Sequence, residues 1–369
     1  MQIRAIALSA IAVACCLAAT ASAAEWGLKP GSPELKSAGP LTFGPDGILF
    51  VGDTKSATVF AIDTQDHAGE PAKVSIQVKG IKGKVADLLK VGSEEVTIND
   101  LAVNPISGNV YLSVSQGPAE KQSPALVRID ANGQLSQVAT KDILYAKSVL
   151  PDAPEDKVVE NGRRRQNRRD ESITDLAYVD GKVIVSGLSN SDSPSTVREL
   201  VFPFLEAAPG VNVEIYHGAH GRYEDYAAVR TLVPFNLDGE PIVLAGFTCT
   251  PLVKFPVSGL TKGEKVRGTT VAELGNRNRP LDMIVYNKDG KRYLLMANSA
   301  RGVMKISTEN IERSEGISEP VKGGGTAGQT YETIASLEGV TQLDRLNDQN
   351  AVVIIEKDGV ANLQTIALP

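Results

Sequence analysis

Six segments of the chain share one grammar: a short strand-like stretch, a turn of Gly, Asp or Asn, a strongly apolar stretch, a polar loop, and a third stretch ending near a charge or a proline. They start at Leu41 (LTFGPDGILFVGDTKSATVFAID), Asp100, Asp175, Arg230, Asp282 (DMIVYNKDGKRYLLMANSARGVMKIS) and Gln342. Repetition of so small a unit constrains the fold more than any motif does. One copy cannot bury its own apolar face, so neighbouring copies must cover one another. The turns PDG, PISGN, VDGK, NLDGE, NKDGK and NDQN supply residues that reach the positive φ angles of tight hairpins. Between copies, fourth-strand candidates lie at 74–78, 135–139, 211–216, 269–274 and 331–336.

Radial stacking of such units hides sheet edges, so the pattern predicts an all-β chain folded as a six-bladed β-propeller. Seven blades are the alternative, because 79–96 has room for further structure. The sixth copy is one strand short, and segment 25–37 is expected to close the ring against the blade that ends at Ala367. Helix is confined to short turns at 84–89 and 204–208, with insertions at 150–170 and 316–330. The stretches VGDTKSATVFAID and LLMANSARGVMKIS resemble the NHL and SMP-30/gluconolactonase class of propellers, and the grammar is similar across nearly the whole chain after residue 23. That resemblance implies a propeller. In the lactonase branch it also implies a divalent metal, most often calcium, held over the central channel by Glu, Asn and Asp. No segment matches those ligand motifs in order, so none is assigned by resemblance.

Residues 1–23 read as a secretory leader: Arg4 supplies charge, an Ala-rich apolar stretch follows, and Ala21-Ser22-Ala23 fits the cleavage rule. The expected organisation is this leader followed by one propeller domain over 24–369, secreted or periplasmic. Removing the leader takes away Cys15 and Cys16 and leaves Cys249 alone, so no internal disulfide forms. The formal charge of −6, from 38 basic and 44 acidic residues, gives no broad footprint for nucleic acid. No later stretch is long and apolar enough to span a bilayer. A monomer is expected, with a protein partner as an alternative. CxxCH, HExxH, GxSxG and GxGxxG are absent, which leaves haem, a nucleotide cofactor and the known nucleophile constellations without support.

In a propeller, the starts of the innermost strands and the loops joining second to third strands converge on one face. Asp100, Asp175 and Asp282 occupy equivalent starts, with Arg230 and Gln342 in two other copies. Three such carboxylates call for a divalent cation, calcium first, or for Arg230; otherwise each accepts backbone N–H groups at its turn. The stretch 273–282 is the densest polar loop on that face. It offers Asn276, Asn278 and Arg279 as ligand-binding residues, with Asn298 nearby. His217 and His220, four residues inclusive, form an alternative metal site with Cys249. The basic run 163–169 is a solvated loop, or a lid that brings Arg168 or Arg169 over an anionic ligand. The functional expectation is a propeller that binds a small ligand or a divalent metal at the channel face. The alternatives are a metal-dependent lactonase or esterase-type hydrolase and a periplasmic protein-interaction scaffold.

Overall fold

The computed structural model describes residues 26–161, 164–237, 239–249, 251–260, 265–312 and 315–369. The leader-like segment 1–23 and Arg163 lie outside them. Local turn chemistry acts as the sequence demands. Asp180 and Gly181 have φ of 47° and 76°, and Asp289 and Gly290 have 50° and 72°. Two consecutive positive φ values make a turn whose twist matches that of the flanking strands, which locks the registers Val179↔Lys182 and Lys288↔Lys291. The second strand of each copy then has a sheet neighbour on either side and another blade over each face. That is why Ile48–Asp53 is buried at every residue and Lys182–Leu188 at all but its first, with no alternation of polar and apolar residues.

Six blades form around a channel. From inner to outer strand, blade one is Leu41–Phe43, Ile48–Asp53, Thr58–Asp63, Ile143–Val149 and Lys29–Gly31. Blade two is Val96–Val103, Val110–Gln116, Ser123–Ile129 and Leu135–Gln137. Blade three begins with Asp175–Val179 and Lys182–Leu188 and ends with Val211–His217 and Arg222–Glu224. Blade four starts at Val229–Leu237 and gains Thr326–Gly328, from the second insertion, outside Thr269–Leu274. Blade five is built on Pro280–Lys288 and Lys291–Asn298, and blade six on Val340–Arg345, Asn350–Lys357 and Val360–Ala367. Among the described residues, one hydrophobic cluster fills each seam between adjacent blades. Each Val, Leu, Ile or Phe buried there contributes about 1.5–3 kcal/mol.

The order around the channel is one, three, four, five, six, two, so the chain order is permuted. Blade two sits between blades one and six, as its two seams show: Phe60 and Ile62 pack with Tyr111 and Leu126 on one side, Leu112 and Val127 with Val352 and Leu363 on the other. Segment 25–37 does not close the ring. Its strand Lys29–Gly31 pairs with Ile143–Val149 on blade one, and the closing strand is Gln77–Val78, antiparallel to Val360–Ala367 of blade six. Likewise 74–78 is not the fourth strand of blade one, a place taken by Ile143–Val149.

The crossover that makes this possible runs beneath blade two and is pinned there by Asp66. Its buried carboxylate accepts hydrogen bonds from Ser107 Oγ (2.8 Å), Asn109 Nδ2 (2.9 Å) and Tyr111 Oη (2.9 Å) of that blade. The helix Ile81–Leu89 then caps the seam between blades six and two through Ile81, Val85 and Ala86. Residues 204–208 form no helix; Phe204 packs edge-on against Phe202 and beside Phe50 in the seam between blades one and three. The first insertion folds as a hairpin, Val158–Asn161 against Arg164–Asn167. No helix among the described residues is long and apolar enough to cross a membrane.

Candidate functional site at the channel face

Each inner strand begins at the same end of the channel, and there the repeated acids act first on the fold. Asp175 of blade three accepts the N–H of Leu176 (2.8 Å) and, across the seam, that of Leu232 in blade four (2.6 Å). Asp282 of blade five likewise joins Met283 to Leu343 of blade six, and Asp100 of blade two joins Leu101 to Leu41 of blade one. A fourth acid, Asp344, sits deeper in the channel and joins Arg345 to Val103 of blade two. Four of the six seams are therefore stapled by a carboxylate that spends one oxygen on its own blade and one on the next.

The same burial makes ionisation costly at all four. Asp100 and Asp282 are raised well above their ordinary value, by desolvation first and then by neighbouring carboxylates, Asp175 beside Asp100 and Asp100 beside Asp282. Asp175 is pushed up to about 7 and Asp344 to about 6, again by desolvation, against the hydrogen bonds that favour their charged forms. The blades hold these acids apart: the ligand oxygens of Asp100, Asp175 and Asp282 do not all come within 4.8 Å of one another. The three carboxylates stand on separate blades, and burial favours the protonated form of each.

Above the acids opens a cavity of about 540 Å³, with Asp100, Asp175 and Asp282 as its floor and Lys36, Lys55, Arg230 and Arg279 among its walls. Arg230 is engaged, with its guanidinium 2.6 Å from Glu171 and its Nε donating to Thr248 Oγ1 (3.1 Å). The Arg279 guanidinium makes no hydrogen bond or ion pair among the described residues; its backbone N–H is donated to Ser299 Oγ and its carbonyl accepts the Ser299 N–H. Burial and the like charge of Arg230 both lower its proton affinity. Asn99, Ser115, Thr174 and Gln342 add neutral donors and acceptors around the wall.

The asparagines lie elsewhere. Asn278 is buried, donates to the carbonyls of Gly275 (2.6 Å) and Asn276 (3.2 Å), and accepts from Asn298 Nδ2 (3.1 Å). Asn298 in turn accepts the N–H groups of Ala300 and Arg301. Together they hold the loops that aim Arg279, while Asn276 faces Gly324 of the second insertion. The hairpin of the first insertion brings Asp170 and Glu171 to the cavity, not Arg168 or Arg169. The lid expectation is corrected accordingly: the 3-10 turn Arg168–Glu171 presents its acidic end inward.

A second polar group lies at the outer edge of the same face. Val211–His217 ends at a tight turn, and the chain returns as Arg222–Glu224, which pairs Ile215↔Glu224 and His217↔Arg222. Glu224 is buried and meets His217 Nδ1 at 2.8 Å and His220 Nδ1 at 2.7 Å, one on each oxygen, with Arg222 Nε 3.1 Å away. Burial alone would raise Glu224, yet the hydrogen bonds from His217, Tyr226, His220 and Arg222 hold it near about 2. Desolvation lowers His217. Under the turn, Glu273 of blade four accepts the N–H of Gly218 and is pushed up to about 7 by burial. Cys249 does not join His217 and His220: it sits just past Glu240–Phe247 in blade four, its N–H donated to the Asn278 carbonyl, and Glu224 takes the third position. Among the described residues no His ring nitrogen meets a Ser or Cys, the ring contacts being to Glu224, Asp63 and the Asp46 carbonyl.

No family model and no curated protein matches the chain. Among solved structures it is similar to the PQQ-bound aldose sugar dehydrogenase of Streptomyces coelicolor, at 12% identity and a TM-score of 0.28 over 92% of this chain and 97% of that one. The soluble aldose sugar dehydrogenase of Escherichia coli matches at 10% identity and 0.32, over 92% and 99%. The β-propeller domain of Cps50 (Swd1) from Myceliophthora thermophila matches at 11% and 0.38, over 90% and 84%. So loose a likeness adds nothing to the architecture read from the sheets themselves, and the chemistry in these names stays with those proteins.

Proposed function

We propose that the protein is a secreted or periplasmic propeller that binds a small organic anion at the channel face, without turning it over. The observation that carries this reading is the unengaged Arg279 guanidinium beside Arg230 over a cavity of about 540 Å³. An anion there relieves the repulsion between the two arginines and gains charge-assisted hydrogen bonds. Because burial favours the protonated forms of Asp100, Asp175 and Asp282, and Glu171 is paired with Arg230, Lys36, Lys55 and Arg279 outnumber Asp170 and set the sign of the cavity. Neutral groups such as Asn99, Ser115 and Gln342 suit a ligand that also carries hydroxyls.

Isothermal titration of sugar acids, hydroxy acids and sugar phosphates tests the reading. A binder from this panel should lose about tenfold or more in affinity on Arg279→Ala, the magnitude of one charge-assisted hydrogen bond. A panel without a binder, or one whose best ligand binds Arg279→Ala equally well, refutes it. Kinship with NHL and SMP-30/gluconolactonase propellers, and a lactonase-type activity with it, would require a cation to polarise a carbonyl. Hydrolysis of a lactone by the purified protein, abolished by chelator, would replace binding with turnover.

A further inference from the structure

The arrangement at the outer edge of blade three does work that anion binding at the channel leaves unexplained. Two of the three histidines in the chain are brought to one carboxylate by a four-residue turn, 218–221, with ring centroids 3.9 Å apart and ring planes tilted by 37°. Ligand atoms of His217, His220 and Glu224 all lie within 4.8 Å of one another, the one such group of three or more His, Cys, Asp or Glu among the described residues. Two buried atoms beside the same turn lack any partner. His217 is 3% exposed and its Nε2 is unbonded; Glu273 is 0% exposed and its Oε2 is unbonded. Unpartnered polar atoms at that depth are rare in folded proteins, and a missing ion is one recognised reason for them. Opposite them, the His220 side chain is 43% exposed, which leaves a path from solvent.

We propose that His217, His220 and Glu224 hold a divalent transition-metal ion of the zinc class. Two imidazoles and a carboxylate are a borderline donor set that suits zinc, copper or nickel, whereas calcium and magnesium prefer oxygen alone. The strand pairing His217↔Arg222 and Ile215↔Glu224 fixes the frame on which the donors stand, so the ion needs no refolding to enter. Arg222 is the competing cation in the empty site. Its side chain is 64% exposed and reaches Tyr226 Oη as well as Glu224, so it is free to turn outward when an ion arrives. This proposal stands apart from the anion reading, since none of the three residues lines the channel cavity.

Tag-free protein stripped with chelator is titrated with Zn2+ alone, by calorimetry and by equilibrium dialysis with elemental analysis. The expected result is one ion per chain, not displaced by millimolar Ca2+. His220→Ala, chosen because its side chain is partly exposed, should weaken binding by about tenfold or more, and His217→Gln by at least as much. Arg222→Gln should tighten binding about threefold or more, since a like charge leaves the site. His67→Ala, far away beside Asp63, should change nothing. Co2+ should give a visible absorption band with the wild-type chain and none with His220→Ala. Failure of the wild-type chain to take up Zn2+, or equal uptake by folded His220→Ala, overturns the proposal. Loss of anion binding in Arg279→Ala with zinc uptake intact shows the two sites to be separate.

Discussion

Replacing Asp175 by Asn should make the stability difference between variant and wild type change with pH in a direction opposite to ordinary acid denaturation. Asp175 rises from its ordinary 3.8 to about 7 on folding. Between those values the folded chain binds more protons than the unfolded one, so the contribution of this group is fully present below about 3.8 and is lost as pH rises through about 7. At about 1.4 kcal/mol per pK unit, full ionisation costs roughly 4 kcal/mol, of which roughly 2.5 kcal/mol falls between about pH 5 and pH 8. Channel water reaches this side chain in part, which brings the expected value to about 1–2.5 kcal/mol. The Asn variant keeps one acceptor oxygen, so either the Leu176 or the Leu232 N–H loses its partner, at about 1–3 kcal/mol independent of pH. Urea unfolding with chelator present should therefore show Asp175→Asn clearly weaker than wild type at about pH 5 and closer to it, or level, at about pH 8. Parallel pH dependence of the two chains would refute the claim that ionisation of Asp175 is resisted by its place in the seam.

Two further outcomes follow from the ring. Ile76→Ala, beside the closing strand and 2% exposed, should lower unfolding stability by about 2–4 kcal/mol, read from the urea midpoint; a loss below about 1 kcal/mol would mean that closure does not depend on this segment. Asp66→Ala leaves Ser107, Asn109 and Tyr111 facing an empty buried site, and about 3–5 kcal/mol should be lost in the same assay; a cost below 1 kcal/mol would mean the crossover is not pinned there.

The amino-acid sequence determined the blades, because hairpins are local. Asp180-Gly181 and Asp289-Gly290 set their turns from within two residues, and the apolar second strands followed from the need to be covered on both faces. The count of six and the fourth strands at 135–137, 211–217, 269–274 and 331–333 were legible for the same reason. What the sequence left open was decided by contacts between distant residues. Gln77 pairs with Gln364 through backbone groups that every residue carries, so nothing in either side chain announces the partnership. The permuted place of blade two depends on the length of the 64–76 crossover and on Asp66, whose partners lie more than forty residues on. At the candidate sites the residue types were visible but their company was not. Asp100, Asp175 and Asp282 read as one set because they repeat, yet six blades hold them apart around the channel and turn them to neighbouring backbones. His217 and His220 stood out by rarity, while Glu224 and Glu273 reached them only through a return strand and the adjoining blade. Side-chain chemistry wrote each unit; the closure of the ring chose which units face one another.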